Sequence, residues 1–366
     1  MKSCLFEWKK MHRLRLVAAL IAATFLLIGA LYVRNFMQQD LIPAKKIEPF
    51  AVLLKGITNK NDEDQRELQK KEDSETAARL EAGQQLAWQL NELLSAIENG
   101  DGQGELQHEI EAYQLAAEYK TLMGTFPLSQ AEMDDRTRYN KELDRLDLAK
   151  EDTDLSIAQP LFMKKVAGQL LSPVGFLAAV LLIGAAFTKE WEDRSMQFSR
   201  VLPVPAAERI SARLISYWLA SLVWLVLVFG ISALLPYAGG RTDKSLFKYP
   251  FVDAEEQFTA TSHILGTAGL YAVFYMLFAF TLFLLAGSFF RQGILTVLAV
   301  AAVIAGGWIV TSSGAISVWN PFLYQQPVYA AEQHGSLSLI GPGLLAFLSA
   351  AGAWLACLAD RRRAVS

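Results

Sequence analysis

The residues whose types and spacing could do chemical work cluster between Thr188 and Arg213, in the stretch TKEWEDRSMQFSRVLPVPAAERISAR. Glu190, Glu192, Asp193 and Arg194 come first, then the apolar Met196, Phe198, Val201 and Leu202, then Pro203-Val204-Pro205. Pro203 lacks a backbone donor and ends any helix that reaches it. A new helix restarts with Glu208 and Arg209 and feeds the next apolar run. Charge interleaved with apolar side chains on a short helix suits the grip of a partner protein. An ordinary polar loop of balanced charge is the plainer alternative.

Catalytic marks are missing elsewhere. The chain carries no GxxxxGKS/T, GxSxG, HExxH or CxxC pattern, each the readable mark of a reaction class. His12, His108, His263 and His334 are isolated, with no carboxylate or cysteine at ligand spacing, which argues against a metal site.

The elements that must position the loop are membrane helices. Hydrophobic residues make up 52% of the 366 and charged residues only 19%, against about a quarter charged in soluble chains. Six runs approach the roughly 20 apolar residues that a helix needs to cross hydrocarbon: Leu16–Val33, Leu170–Phe187, Leu214–Leu235, Ile264–Ser288, Gly293–Ser312 and Gly341–Ala359. None contains Asp, Glu, Lys or Arg. Transporters driven by protons or sodium keep an ionisable residue or a broken helix at mid-membrane, so the energy for transport is expected from outside this chain.

Charge sets the expected orientation. With the N-terminus inside, segments 1–15, 188–213, 289–292 and 360–366 carry 14 Lys/Arg against 6 Asp/Glu, while the remainder balances to −11. An excess of Lys/Arg in short cytoplasmic flanks orients spans, so six spans with both termini inside are expected. The first run has a basic flank like a signal peptide, but its length and the lack of a small-x-small cleavage site suit an uncleaved anchor. Cys4 and Cys357 then both lie inside, and no disulfide framework is expected. The arm MKSCLFEWKKMHRLR reads either as an interfacial helix or as plain positive flanking.

Between spans 1 and 2 lies the one large hydrophilic block, Arg34–Gln169, with 17 Lys/Arg against 26 Asp/Glu. Leu86, Leu90, Leu93 and Ile97 form one helical stripe. Leu106, Ile110, Tyr113 and Ala117 form a second, and the Asn99-Gly100-Asp101-Gly102 breaker between them predicts a helical hairpin. Ser129 and Glu132 have capping-box spacing for a third helix through Tyr139, Leu143 and Leu146. Asn61–Thr76 is nearly devoid of apolar residues and reads as a solvated helix extension or a disordered stretch.

The remaining loops are shorter. Tyr237, Phe247, Tyr249, Phe251 and Phe258 are expected in an aromatic belt at the water–lipid boundary. Phe289 to Gln292 form a tight turn that makes spans 4 and 5 neighbours. Ala302 with Gly306, and Gly352 with Ala356, are small residues at spacing four that allow close helix contact. The proline-interrupted stretch SGAISVWNPFLYQQPVYAAEQHGSLSLIGP reads as short half-helices covered by protein or as a surface loop.

The segment Glu190–Arg213 resembles the region after the second span in type-2 ABC exporter permeases. In that family an acidic residue, a short polar helix, a Leu-Pro-Val/Ile-Ser/Pro turn, an Arg-Ile step and a basic residue entering span 3 recur. Here they stand as Glu190, Arg194, Leu202-Pro203-Val204-Pro205, Arg209-Ile210 and Arg213. The N-terminal FEWKKMHRLR and Asn320-Pro321-Phe322 are similar to the same family. Ser195 where glycine is common, Arg213 where lysine is common, and the large block after span 1 depart from it.

The resemblance implies an all-α polytopic permease in the plasma membrane with six transmembrane helices, and the helical stripes of the outer block, which the resemblance does not cover, add a helical extracytoplasmic domain. Its parts would be 1–33 (arm and span 1), 34–169 (extracytoplasmic domain) and 170–366 (spans 2–6 with a coupling loop at 188–213). It implies pairing with a second copy or a sister permease and with a dimer of cytoplasmic ABC ATPases. ATP and Mg would sit on the ATPase, with no cofactor on this chain and no nucleic-acid partner. Glu190, Glu192, Arg194, Phe198, Pro203 and Arg209 would couple to the ATPase, and a peptide, lipid-linked or drug-like molecule would be exported. A membrane-anchored sensor or scaffold with a ligand-binding outer domain competes with this reading. So does a mechanically coupled permease that moves nothing across its own spans, which predicts four spans.

Overall fold

The computed structural model describes residues 15–70, 73–192, 205–240, 243–314, 317–333 and 339–362, and these fold into two compact units. The first, a membrane unit, takes in Met1–Val33, Ala158–Lys244 and Phe251–Ser366. The second, a four-helix unit, takes in Arg34–Ile157 and Ser245–Pro250. Among the described residues the strands are β1 (Pro250–Val252) and β2 (Phe258–Ala260), one short hairpin. The chain is otherwise all-α.

Five helices are long and apolar enough to cross a membrane: α1 (Leu16–Met37), α8 (Ala206–Ala238), α9 (Thr261–Phe290), α10 (Gly293–Ser312) and α12 (Ile340–Arg362). The expected second span, Leu170–Phe187, falls mostly on α7 (Pro173–Glu192). A further helix, α6 (Gln159–Leu170), precedes it, and the two meet at a bend of 66°. Pro173 disfavours the helical conformation at the residue before it, and the Ser172 hydroxyl accepts from the Gly175 N–H at 3.3 Å to open α7. A Cβ at Gly175 would overlap the Leu170 carbonyl, so the bend itself requires the glycine.

Helix α9 is the hub of the membrane unit. It packs on α6, α7, α8, α10 and α12. Half of its apolar window, 50%, is buried inside the protein, against 39% for α8 and 17% for α1, so it is the most covered of the long apolar helices. Of the two expected small-residue seams, one forms: Gly352 on α12 meets the Thr281 methyl of α9, and Ala356 is buried. The other does not, because Ala302 is exposed and Gly306 faces open space. Trp224 of α8 reaches α1 by donating from Nε1 to Thr24 Oγ1 at 2.9 Å.

The four-helix unit has its own core. α3 (Ser74–Asn99) and α4 (Gly102–Thr121) form the expected hairpin, closed by Gly100 at φ 69° and by Asp101, whose carboxylate caps α4 at the Gly104 N–H. α5 (Gln130–Arg145) opens with the Ser129–Glu132 capping box. The addition is α2 (Leu41–Leu68), a long helix that carries Pro49 inside it. Its polar tail, Asn61–Leu68, is ordered because Asp64, fully buried, takes two 2.8 Å hydrogen bonds from the Arg79 guanidinium of α3. Residues 71 and 72 of that polar stretch lie outside the described residues.

A buried chain of charge continues through this unit. Lys150 pairs with Glu109 at 2.6 Å, the Tyr113 hydroxyl donates to Glu109 at 2.9 Å, and Arg136 donates to Tyr113 at 3.1 Å. Tyr249, expected in the belt, instead sits 1% exposed in this unit, where its hydroxyl accepts from the Glu151 N–H and donates to the Glu151 carbonyl. Burial opposes ionisation of Asp152, but hydrogen bonds from Lys45 and from the Asp154 and Leu155 N–H groups outweigh it and hold the carboxyl below its ordinary range. The same bond raises Lys45.

Two outcomes are expected. Asp64→Ala leaves the Arg79 guanidinium only Glu67, 3.8 Å away, and should cost about 3–5 kcal/mol of the unit's stability, whereas the paired Asp64→Leu, Arg79→Met change should cost far less; hydrogen exchange of α2–α4 in the full-length protein measures both. Asp152, lowered from 3.8, adds stability above that pH and loses it as pH falls through its folded value, while Lys45, raised from 10.5, adds stability below that pH and loses it as pH climbs. The exchange protection should therefore be flat between about pH 5 and 9 and decline on both sides.

Candidate functional site

The polar stretch that the sequence singles out is framed by two helices. α7 runs on to Glu192, so the backbone at Glu190 and Glu192 is helical to the edge of the loop. Arg194, Phe198 and Pro203 lie outside the described residues, as do the arm 1–14 and His334. α8 begins straight after Pro205, whose carbonyl accepts from the Arg209 N–H at 3.1 Å.

Arg209 is the one expected site residue whose side chain can be placed. Its guanidinium forms an ion pair with the Asp360 carboxylate, and both side chains are largely buried. The pair joins the first turn of α8 to the last turn of α12, two helices that also pack along each other. One turn further into α8, Arg213 is 3% exposed. Asp360 escaped the sequence reading because it stands beside Arg361, Arg362 and Arg363 and reads as part of a basic tail.

A second polar cluster lies among apolar helices. The 320–333 stretch forms a 3-10 turn (Pro321–Gln325) and α11 (Pro327–Gln333), and Leu323, Tyr324, Gln325, Ala330 and Ala331 are buried. These are half-helices covered by protein. Asn320 holds the turn by accepting from the Phe322 N–H at 3.0 Å and donating to Thr311 Oγ1 at 3.2 Å. Phe322 fills the notch left by Gly307, where a Cβ would overlap its ring.

The Gln325 amide works against α10 itself. Oriented to satisfy its neighbours, its oxygen accepts from the Trp308 N–H at 2.9 Å and its nitrogen donates to the Ile304 carbonyl at 3.3 Å. It thus lies alongside one rung of the α10 ladder, a known cause of helix bending. The Tyr275 hydroxyl is 3.3 Å from the same amide. Nearby in sequence, Lys164 of α6 pairs with Glu332 of α11 at 2.6 Å and stands 3.4 Å above the Phe251 ring, a cation–π contact that fastens α6 to α11 and to the hairpin.

None of these arrangements is a nucleophile with its base or a set of metal ligands. Among the described residues no group of three His, Cys, Asp or Glu side chains could hold a metal ion. Fold and site together define an all-α, polytopic membrane protein with a folded helical unit between its first apolar helices. Compared with family models, with curated proteins and with solved structures, the chain matches none.

Adjacent glycines of α10 test the notch. Gly307→Ala should push Phe322 out at a cost of about 1–3 kcal/mol and raise hydrogen exchange across 320–326. Gly306→Ala, where nothing stands within 4 Å, should leave that exchange unchanged.

Proposed function

We propose that this chain is the membrane-spanning subunit of an ATP-driven exporter, energised by a separate cytoplasmic ATPase that grips the segment between α7 and α8. The observation that carries the reading is the length of α8. Its 33 residues extend about 50 Å at the helical rise, well beyond the roughly 30 Å of hydrocarbon. The polar turns Ala206–Arg213 therefore project as a rigid lever, and a push on the loop is delivered to the membrane part of α8 without loss in a flexible linker.

The proposed topology has six crossings with both ends inside. Arg34–Ile157 and Ser245–Pro250 belong to one compact unit, which a bilayer cannot divide, so an even number of crossings must separate them. α8 supplies one, and the bent pair α6–α7 supplies the other. Five long apolar helices together with the bent pair favour six crossings over the four of the mechanical reading. The positive flanks then put the 188–213 loop inside and the four-helix unit outside, where it meets the exported molecule.

The ATPase would act as a dimer and hold the ATP and Mg. The permease would pair with a second copy or with a sister chain, the export path running between the two halves. A membrane-anchored sensor is the second reading, and it draws on the four-helix unit having a core of its own. An exporter brings down an ATPase from its native membrane, whereas a sensor does not.

The double variant Glu190→Ala, Arg194→Ala should lower transport and substrate-stimulated ATP hydrolysis in the complex reconstituted with the co-purified ATPase, while insertion and folding stay at the level of the unmodified protein. Undiminished coupling would sink the assignment of the loop.

A further inference from the structure

The ion pair between Arg209 and Asp360 is placed against the preference of both helices that carry it. A helix presents partial positive charge at its N-terminus and partial negative charge at its C-terminus. Arg209 is a cation in the first turn of α8, and Asp360 an anion in the last turn of α12. Each charge by itself therefore opposes the dipole of its own helix. Arg361 and Arg362, the next two residues, have the sign that the end of α12 favours; Asp360 is the exception among them.

Mutual pairing compensates both. The two side chains keep only 15% and 16% exposure, so neither is freely solvated, and each holds the other against the dipole of its own helix. The pair is also the point where the lever of α8 meets the last helix of the membrane unit. The two helices also pack along each other, and the ion pair adds a directional contact at the end of that seam.

We propose that Asp360 is a positioning residue: through Arg209 it clamps the end of α12 to the first turn of α8, so that the two helices move as one body when the 188–213 segment is pushed. This rests on the exporter reading for its consequence in transport but not for the clamp itself. The sequence-level role of Arg209 changes accordingly, from a side chain that touches the ATPase to one that ties two helices together.

The full-length chain in lipid nanodiscs, alone and with the ATPase that co-purifies with it, tests this with three variants. Asp360→Asn and Arg209→Ala should each raise hydrogen exchange across 206–213 and reduce stimulated ATP hydrolysis roughly tenfold, a size typical of coupling between sites. The exchanged pair Arg209→Asp, Asp360→Arg rebuilds the bond with each charge now at the helix end that favours it, and it should restore both protection and stimulation. Restored protection without restored stimulation would mean that Arg209 itself contacts the ATPase, and would overturn the positioning role. Unchanged protection in the single variants would overturn the clamp. If the single variants fail to insert, the exchanged pair decides alone, since a clamp predicts that it inserts and is protected. Protection that behaves as expected in a chain that brings down no ATPase would leave the clamp standing and remove the exporter reading.

Discussion

Helix α9 has no charged face, and of the long apolar helices it is the one most covered by protein, with half of its apolar window buried against 39% for α8 and 17–28% for the others. That difference organises the membrane unit. Because lipid tails are as apolar as leucine, helices in a bilayer gain nothing from hydrophobic exclusion against one another and associate through close packing and a few polar contacts. The contacts around α9 are of that kind: Gly352 receives the Thr281 methyl, Gly184 of α7 receives the Phe283 ring, and Trp218 of α8 donates to the Val273 carbonyl at 3.0 Å. The bend at Leu171–Ser172, the half-helices at 320–333 and the pairing of α8 with α12 are all arrangements of outer helices about this one.

Much of this was legible in the sequence, for identifiable reasons. Apolar runs without charge are unambiguous in length, and five of the six expected spans match long apolar helices. The α3–α4 hairpin and the Ser129–Glu132 capping box were readable because local chemistry alone specifies them. The features that escaped are those whose cause is distant in the chain. The polar end of α2 is the solvated helix extension that its composition suggests, and what escaped is the burial of Asp64, whose partner Arg79 stands on another helix. Tyr249 looked like a belt residue because its partner, Glu151, lies 98 positions away. Ala302 and Gly306 have seam spacing, but spacing does not say which face of α10 meets a neighbour; Gly307 does, because Phe322 is there to fill it.

The site was legible in the same partial way. A charged stretch between two apolar runs is visible without a fold, and so is the restart of a helix after Pro205. That Arg209 is committed to Asp360 is not, since 151 residues separate them and the acid is hidden in a run of arginines. The bend between α6 and α7 was readable in principle. Ser172-Pro173 followed by Gly175 is a helix stop and start, and only the apolar character of the surrounding run concealed it.

The short stretch Ser245–Pro250 has a consequence for how the protein is made. The four-helix unit holds Tyr249 and Leu246 in its interior, yet a ribosome delivers them nearly 90 residues after Ile157, about 5–20 s later at usual rates of synthesis. Until then the unit lacks a piece of its core. On the proposed topology it is completed once α6, α7 and α8 have carried the chain across the membrane and back. Closure of the four-helix unit would then depend on correct insertion, and a chain threaded the wrong way would keep an open core.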